Sequence, residues 1–200
     1  MIRSRSRNMN KVKTILAILL LLLTGCSRKA VPKPEYPYEV QSTVIDMSAY
    51  SGVSSTKHNF RLVSIEEFYR TIDNGSSGIF YLATNTCGCC QNITKYLSEV
   101  ATELGVTVYY IDAFDPQNDL SLRENNDRLV SYIEPIMGTD DDGNKVVLTP
   151  HLITVINGEL TGSQICFDDL GINDIGLERN VRKLEDVFRT ILEPFVKEDS

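Results

Sequence analysis

Three of the chain's five cysteines fall within four residues, in the segment Thr86-Cys87-Gly88-Cys89-Cys90-Gln91. Cys87 and Cys90 stand three apart, which is about one helical turn and close enough for a disulfide to form and break. If a helix starts at this segment, Cys87 meets the free N–H groups and the positive dipole end of the first turn. Both favour a thiolate, while Cys90 lies one turn inside. The same spacing serves zinc, but a structural zinc site needs a second cysteine pair or a histidine pair, and neither is present. Cys89 has open alternatives: a ring with Cys87, a link to another molecule, or an idle exposed thiol. Cys166 reads as a small buried apolar residue, with bonding elsewhere as the alternative. His151 is either a sheet residue or a neighbour of the thiols, and His58 has no evident partner. Three thiols with His151 opposite also match what a soft ion such as Cu(I) takes.

The elements that must hold these residues alternate along the chain. His58 to Val63 is a modest strand candidate. Ser64 and Glu67 have capping-box spacing before Ile65, Phe68, Tyr69 and Ile72, which share one face of a helix over 65–74 that Gly75 ends. Gly78 to Ala83 is a buried strand by its unbroken apolar run, and the cysteines follow it directly. Ile93, Leu97, Val100 and Leu104 then mark a helix closed by Gly105. A strand is expected over Val106 to Ile111, and a helix over 121–134 with Leu122, Leu129, Val130 and Ile133 inward. Asp140 to Gly143 is turn chemistry, since a calcium loop lacks the required later positions. Val146 to Leu148 and His151 to Ile156 are strand candidates. Asn157-Gly158 is a hairpin signal leading to a strand over Glu159 to Gln164. Leu177, Val181, Leu184, Phe188, Ile191 and Phe195 mark a helix from about 174 to 196. Such alternation implies an α/β protein, a layered sheet with helices on both faces.

With the cysteine pair at a strand-to-helix corner, the chain resembles the thioredoxin superfamily over roughly residues 58–196. Leu148-Thr149-Pro150-His151-Leu152 is a second point of likeness. The resemblance implies a thioredoxin-like fold with a central mixed sheet. It also implies a cis Pro150 beside the cysteines, leaving the backbone of Thr149 free to pair with a substrate strand. The chain departs from thioredoxin at Thr86, where many members carry tryptophan, and at Cys89, where they carry proline or histidine. Tyr81 stands where thioredoxin buries an aspartate that assists proton transfer. A narrower likeness, to secreted proteins of the bacteriocin-transport-accessory type, rests on architecture and on the strand Ile79-Phe80-Tyr81-Leu82.

The N-terminus reads as an address. Arg3, Arg5, Arg7, Lys11 and Lys13 precede nine uninterrupted apolar residues, Ile15 to Leu23. As a helix that run covers about 14 Å, half of a hydrocarbon core, so it reads as a signal-peptide core rather than a membrane span. Leu23-Thr24-Gly25-Cys26 resembles the lipobox of bacterial lipoproteins, which implies cleavage after residue 25 and acylation of Cys26. The expected organisation is a signal peptide at 1–25, a lipidated N-terminus and extended tether at 26–57, with prolines 32, 34 and 37, and a thioredoxin-like domain at 58–200. Outside the cytoplasmic membrane, the other cysteines meet conditions in which disulfides persist.

The chain carries 20 basic and 27 acidic residues, and removing the five leader cations leaves a body of net charge −12. That charge excludes nucleic-acid binding as its main role. The expected function is that of a lipid-anchored extracytoplasmic thiol–disulfide oxidoreductase. It acts on protein thiols or disulfides through Cys87 and Cys90 beside Pro150, with an unidentified redox partner and no cofactor. The alternatives are a Cu(I)-binding or delivery protein and a non-catalytic accessory on the same fold.

Overall fold

The computed structural model describes residues 38–196 apart from 117, 119, 121, 122, 141, 168, 169 and 173. The expected signal peptide, Cys26 and the proline-rich part of the expected tether lie outside the described residues, as does Leu122.

The run Gly78–Ala83 forms strand β3, buried at every position because both of its faces are covered. Ile79, Tyr81 and Ala83 face one layer, and Phe80 and Leu82 the other, by the two-residue period of a strand. Around β3 the chain builds a six-stranded mixed sheet in the order β1-β2-β4-β3-β7-β8. Its members are β1 (Thr43–Val44), β2 (Phe60–Leu62), β3, β4 (Val108–Asp112), β7 (His151–Ile156) and β8 (Glu159–Ile165). β3 runs parallel to β4 and antiparallel to β7. Helices α2 (Gly88–Leu104) and α4 (Glu178–Leu192) cover one face, where Ile93, Leu97, Leu184 and Phe188 pack on Ile79 and Tyr81. Helices α1 (Ile65–Asp73) and α3 (Arg123–Ile133) cover the other, where Phe68, Tyr69, Leu129 and Ile133 pack on Phe80 and Leu82. This is the expected α/β layering. Among the described residues no helix is long and apolar enough to cross a membrane.

Local signals act where they were expected. Gly105 ends α2 in the left-handed region at φ +66°, its N–H donating to carbonyls of the last turn. Asn157 and Gly158 take φ +53° and +80°, the pair of positive values that a two-residue hairpin of this hand requires. At Gly158 a Cβ would stand 2.7 Å from the Ile72 carbonyl oxygen, so the turn also needs the missing side chain for close packing on α1.

Four expectations change. The domain does not begin at 58: β1 pairs antiparallel with β2, and Met47 and Tyr50 are buried in the α2 face. The part of residues 26–57 from Tyr38 onward is therefore part of the folded body. The cause is a few anchors in a polar stretch rather than a periodic pattern. The capping box at Ser64 and Glu67 does not form. Instead the Ile65 N–H donates to Asn118 Oδ1 at 2.8 Å, and Glu67 accepts from the Tyr38 hydroxyl and from the Gln41 N–H at 2.8 Å. Glu67 thus ties the N-terminal segment to α1. The strand expected over Val146 to Leu148 is displaced into a separate ribbon, β5 (Gly138–Thr139) with β6 (Lys145–Val146). Asp140 holds its turn by accepting from the Asn144 N–H at 2.8 Å. Helix α4 starts at Glu178 rather than 174, because the Asp174 carboxylate accepts from the Gly176 N–H and its carbonyl from Asn180 Nδ2.

Candidate active site

Strand β3 delivers the chain to the cysteine segment at one end of the sheet, and α2 leaves from it. Cys87 is the N-cap of α2, with extended backbone (φ −82°, ψ 123°), and its sulfur accepts from the Cys90 N–H at 3.3 Å. A helix start leaves such N–H groups without internal partners, and here a sulfur takes one of them. The Cys87 thiol donates to the Thr149 carbonyl oxygen at 3.5 Å. The Thr149–Pro150 peptide is cis, and it stands beside Cys87 through that contact.

The two thiols differ in surroundings. Cys87 is half-buried and Cys90 fully buried, and neither is in a disulfide. Burial acts to raise the Cys87 pKa, but hydrogen bonds from the Cys90 thiol and from the N–H groups of Cys90 and Cys89 outweigh it. The net shift is downward. Burial, reinforced by the hydrogen bond to Cys87, pushes Cys90 up to about 12. One sulfur thus favours the thiolate more than an ordinary cysteine does, and its neighbour is kept as a thiol.

Behind the pair, Tyr81 is fully buried and its hydroxyl bonds Thr94 Oγ1 at 2.9 Å, while Thr94 donates to the Cys90 carbonyl oxygen at 2.6 Å. Burial holds the Tyr81 phenol protonated, so it supplies no base there. Tyr50 and Tyr110 share a hydroxyl contact at 2.9 Å, and their rings meet edge-on at 6.1 Å. Gln91 Nε2 reaches the carbonyl oxygens of Ala49 at 3.0 Å and Asn85 at 2.7 Å, which fastens the N-terminal segment to the loop before Cys87.

Cys89 and Cys166 are not what the sequence led one to expect. They are joined to each other in a disulfide across 77 residues, with Cα atoms 6.0 Å apart. Cys89 is therefore neither ringed to Cys87 nor a free thiol. Cys166 is half-exposed just after β8 rather than a buried apolar residue. Cysteine count carried the missed signal. With Cys87 set against Cys90 and Cys26 standing far off at the N-terminal end, Cys89 and Cys166 remain as the pair within the folded body. The bond also takes one sulfur out of the three-thiol set on which the Cu(I) alternative rests. Among the described residues no three His, Cys, Asp or Glu side chains converge as a metal site.

His151 lies in β7 with its side chain buried. Its Nε2 meets Ser163 Oγ across the β7–β8 hairpin at 2.7 Å, and burial lowers its pKa to about 4. It is a neutral sheet residue bonded to Ser163 rather than to a cysteine. His58 accepts from the Phe60 N–H at 3.1 Å through Nδ1, away from the site.

No protein-family model matches the sequence, and neither does any curated protein sequence. Solved structures do match. Thioredoxin O2 and thioredoxin O1 from Arabidopsis thaliana, both in the oxidized state, share 19% and 21% identity, with TM-scores of 0.42 and 0.41. Those matches span 72% and 70% of this chain and 100% and 99% of the plant proteins. Thioredoxin from Trypanosoma brucei brucei matches at 18% identity over 70% of this chain and 99% of its own, with a TM-score of 0.39. The fold is thioredoxin-like, and this rests on the chain's own strand order and layering.

Proposed function

We propose that the chain is a thiol–disulfide oxidoreductase acting on protein thiols or disulfides outside the cytoplasmic membrane, tethered there by a lipid on Cys26. The observation that carries the reading is the asymmetry of the pair: Cys87 is accessible and favours a thiolate, and Cys90 is buried and holds its proton. The Cys87 thiolate attacks one sulfur of a substrate disulfide, and the other sulfur leaves as a thiolate. Cys90 then gives up its proton to that leaving group and attacks Cys87 Sγ. The substrate is freed as a dithiol and Cys87–Cys90 is left as a disulfide. The reverse sequence oxidises a substrate dithiol. The Thr149 backbone beside Cys87 offers pairing groups to an extended substrate segment. Tyr81 provides no carboxylate to take the Cys90 proton, so resolution by Cys90 is the slower half-reaction.

The test is mixed-disulfide trapping in the Cys89→Ala/Cys166→Ala background, where no other thiol of the body competes. Adding Cys90→Ala should trap a peptide disulfide on Cys87, and adding Cys87→Ala instead should trap little. Equal trapping by both would overturn the assignment. Anchoring has its own test. Cys26→Ser should move the protein from the membrane fraction to the soluble one, and unchanged retention would overturn the lipid tether.

A further inference from the structure

All four cysteines of the folded body lie at one end of the sheet, and two successive carbonyls, those of Thr149 and Pro150, each hold one member of a pair. The Thr149 carbonyl accepts from the Cys87 thiol at 3.5 Å, and the next carbonyl, that of Pro150, accepts from the Cys166 N–H at 3.2 Å. Cys89 lies within the first turn of α2, between Cys87 and Cys90, and its N–H faces the Cys87 sulfur. Gly88, the residue between Cys87 and Cys89, is exposed, and a Cβ added there would meet nothing within 4 Å. Gly88 thus puts no side chain between the two cysteines and leaves its side of the turn open. Cys166 sits at φ +41°, a backbone region that a side chain with a Cβ rarely adopts and that is held only by surrounding constraints. It is half-exposed.

We infer that Cys89–Cys166 is a second redox centre, in direct exchange with Cys87–Cys90, and that Cys166 is the thiol through which electrons leave. The inference rests on the oxidoreductase reading of Cys87 and Cys90. In the first step the Cys87 thiolate attacks Cys89 Sγ. The Cys87–Cys89 bond forms, the Cys89–Cys166 bond breaks, and Cys166 leaves as a thiolate. In the second step Cys90 passes its proton to the Cys166 thiolate and attacks Cys87 Sγ, forming Cys87–Cys90 and releasing Cys89 as a thiolate. Two electrons have moved from the first pair to the second. One thiolate and one thiol stand at the end as at the start, so no outside oxidant is required. The half-exposed Cys166 then serves a protein disulfide at a point distinct from Cys87. A disulfide that only staples the fold has no reason to share the first turn of α2 with the reactive thiolate.

The experiment uses the full chain with Cys26→Ser, so that only these four thiols take part. In the Cys90→Ala variant, Cys87 is the only starting thiol. Anaerobic incubation, alkylation with N-ethylmaleimide and peptide mapping should find label on Cys166. That label should exceed the Cys87→Ala/Cys90→Ala control at least tenfold, with Cys87–Cys89 as the accompanying disulfide. Label confined to Cys87, or no higher on Cys166 than in the control, overturns the relay. As a second measurement independent of that variant, protein with Cys90 retained is given one equivalent of dithiothreitol. Once the dithiothreitol has been consumed and removed by rapid desalting, label should shift from Cys87 and Cys90 to Cys89 and Cys166 at a rate independent of protein concentration. Label restricted to Cys87 and Cys90, or a rate that rises with concentration, overturns it as well. Peptide trapping by Cys87 in the Cys89→Ala/Cys166→Ala background reads the oxidoreductase assignment alone. Loss of that trapping sinks the assignment, whereas trapping with an unlabelled Cys166 sinks only the relay.

Discussion

At Cys87 a few backbone groups decide the chemistry. The N–H groups of Cys89 and Cys90 converge on its sulfur and stabilise its charge, while Cys90, with the same atoms, is driven the other way by burial. Alkylation by iodoacetamide should therefore give a Cys87 rate that half-titrates below the ordinary thiol value of about 8.5. Cys90 should stay unreactive at pH values where Cys87 has already reached its plateau, and a single shared midpoint would contradict the asymmetry. His151 makes a second prediction. Its pKa is about 4 in the folded chain against 6.5 ordinarily. Between those values the unfolded chain binds a proton that the folded chain refuses, so stability rises with pH across that window. The contribution is complete above pH 6.5 and is lost as pH falls to about 4, amounting to roughly 3 kcal/mol. Urea unfolding at pH 7 and pH 4.5 should show a smaller loss in His151→Gln than in the parent. Equal losses would mean that His151 is protonated without cost.

At the scale of elements, the segment from Tyr38 to Val53 works as packing rather than as a spacer. Met47 and Tyr50 are 0% and 3% exposed, and Glu67 and Gln91 hold the segment from α1 and α2. β1, at the sheet edge, is only two residues long, a usual way to limit pairing with other chains. Truncating a buried methionine removes its transfer free energy and leaves a cavity, so Met47→Ala should cost about 2–5 kcal/mol in denaturant unfolding. A variant of parental stability would return residues 38–57 to the role of a tether. Beside that, the bidentate Arg189–Glu103 pair joining α4 to α2 at 2.7 Å is an exposed contact that water and salt screen, and it adds little.

For the whole molecule, the Cys89–Cys166 bond ties the start of α2 to the end of β8 across 77 residues. Closing a loop of that length restricts the unfolded chain, and loss of such a bond costs about 2–5 kcal/mol. The Cys89→Ser/Cys166→Ser variant should unfold at correspondingly lower urea, and the parent should shift toward it in excess dithiothreitol. If the parent and the variant unfold alike under oxidising conditions, the bond contributes nothing to stability. A bond that both stabilises and exchanges would make the stability of the body depend on its redox state.

The layered fold, β3, α2 with its glycine end, the Asn157-Gly158 turn and the placement of Cys87 and Cys90 at a strand-to-helix corner were all legible in sequence. Each depends on neighbours within a turn or two: the period of apolar residues, a glycine where φ must be positive, and a cysteine three residues before another. The Cys89–Cys166 pairing, the burial of Met47 and Tyr50 and the turning of Glu67 toward Tyr38 were not. Ser64 and Glu67 have the spacing of a cap, yet Asn118 reaches the helix start and leaves Glu67 for the N-terminal segment. His151 reads equally well as a ligand or a strand residue until β8 brings Ser163 to its ring. Apart from Ser163, which the hairpin brings back to His151 after 12 residues, these partners stand tens of residues apart, so which of them meet is decided by which loops the sheet order brings to a common end, and no local preference encodes that.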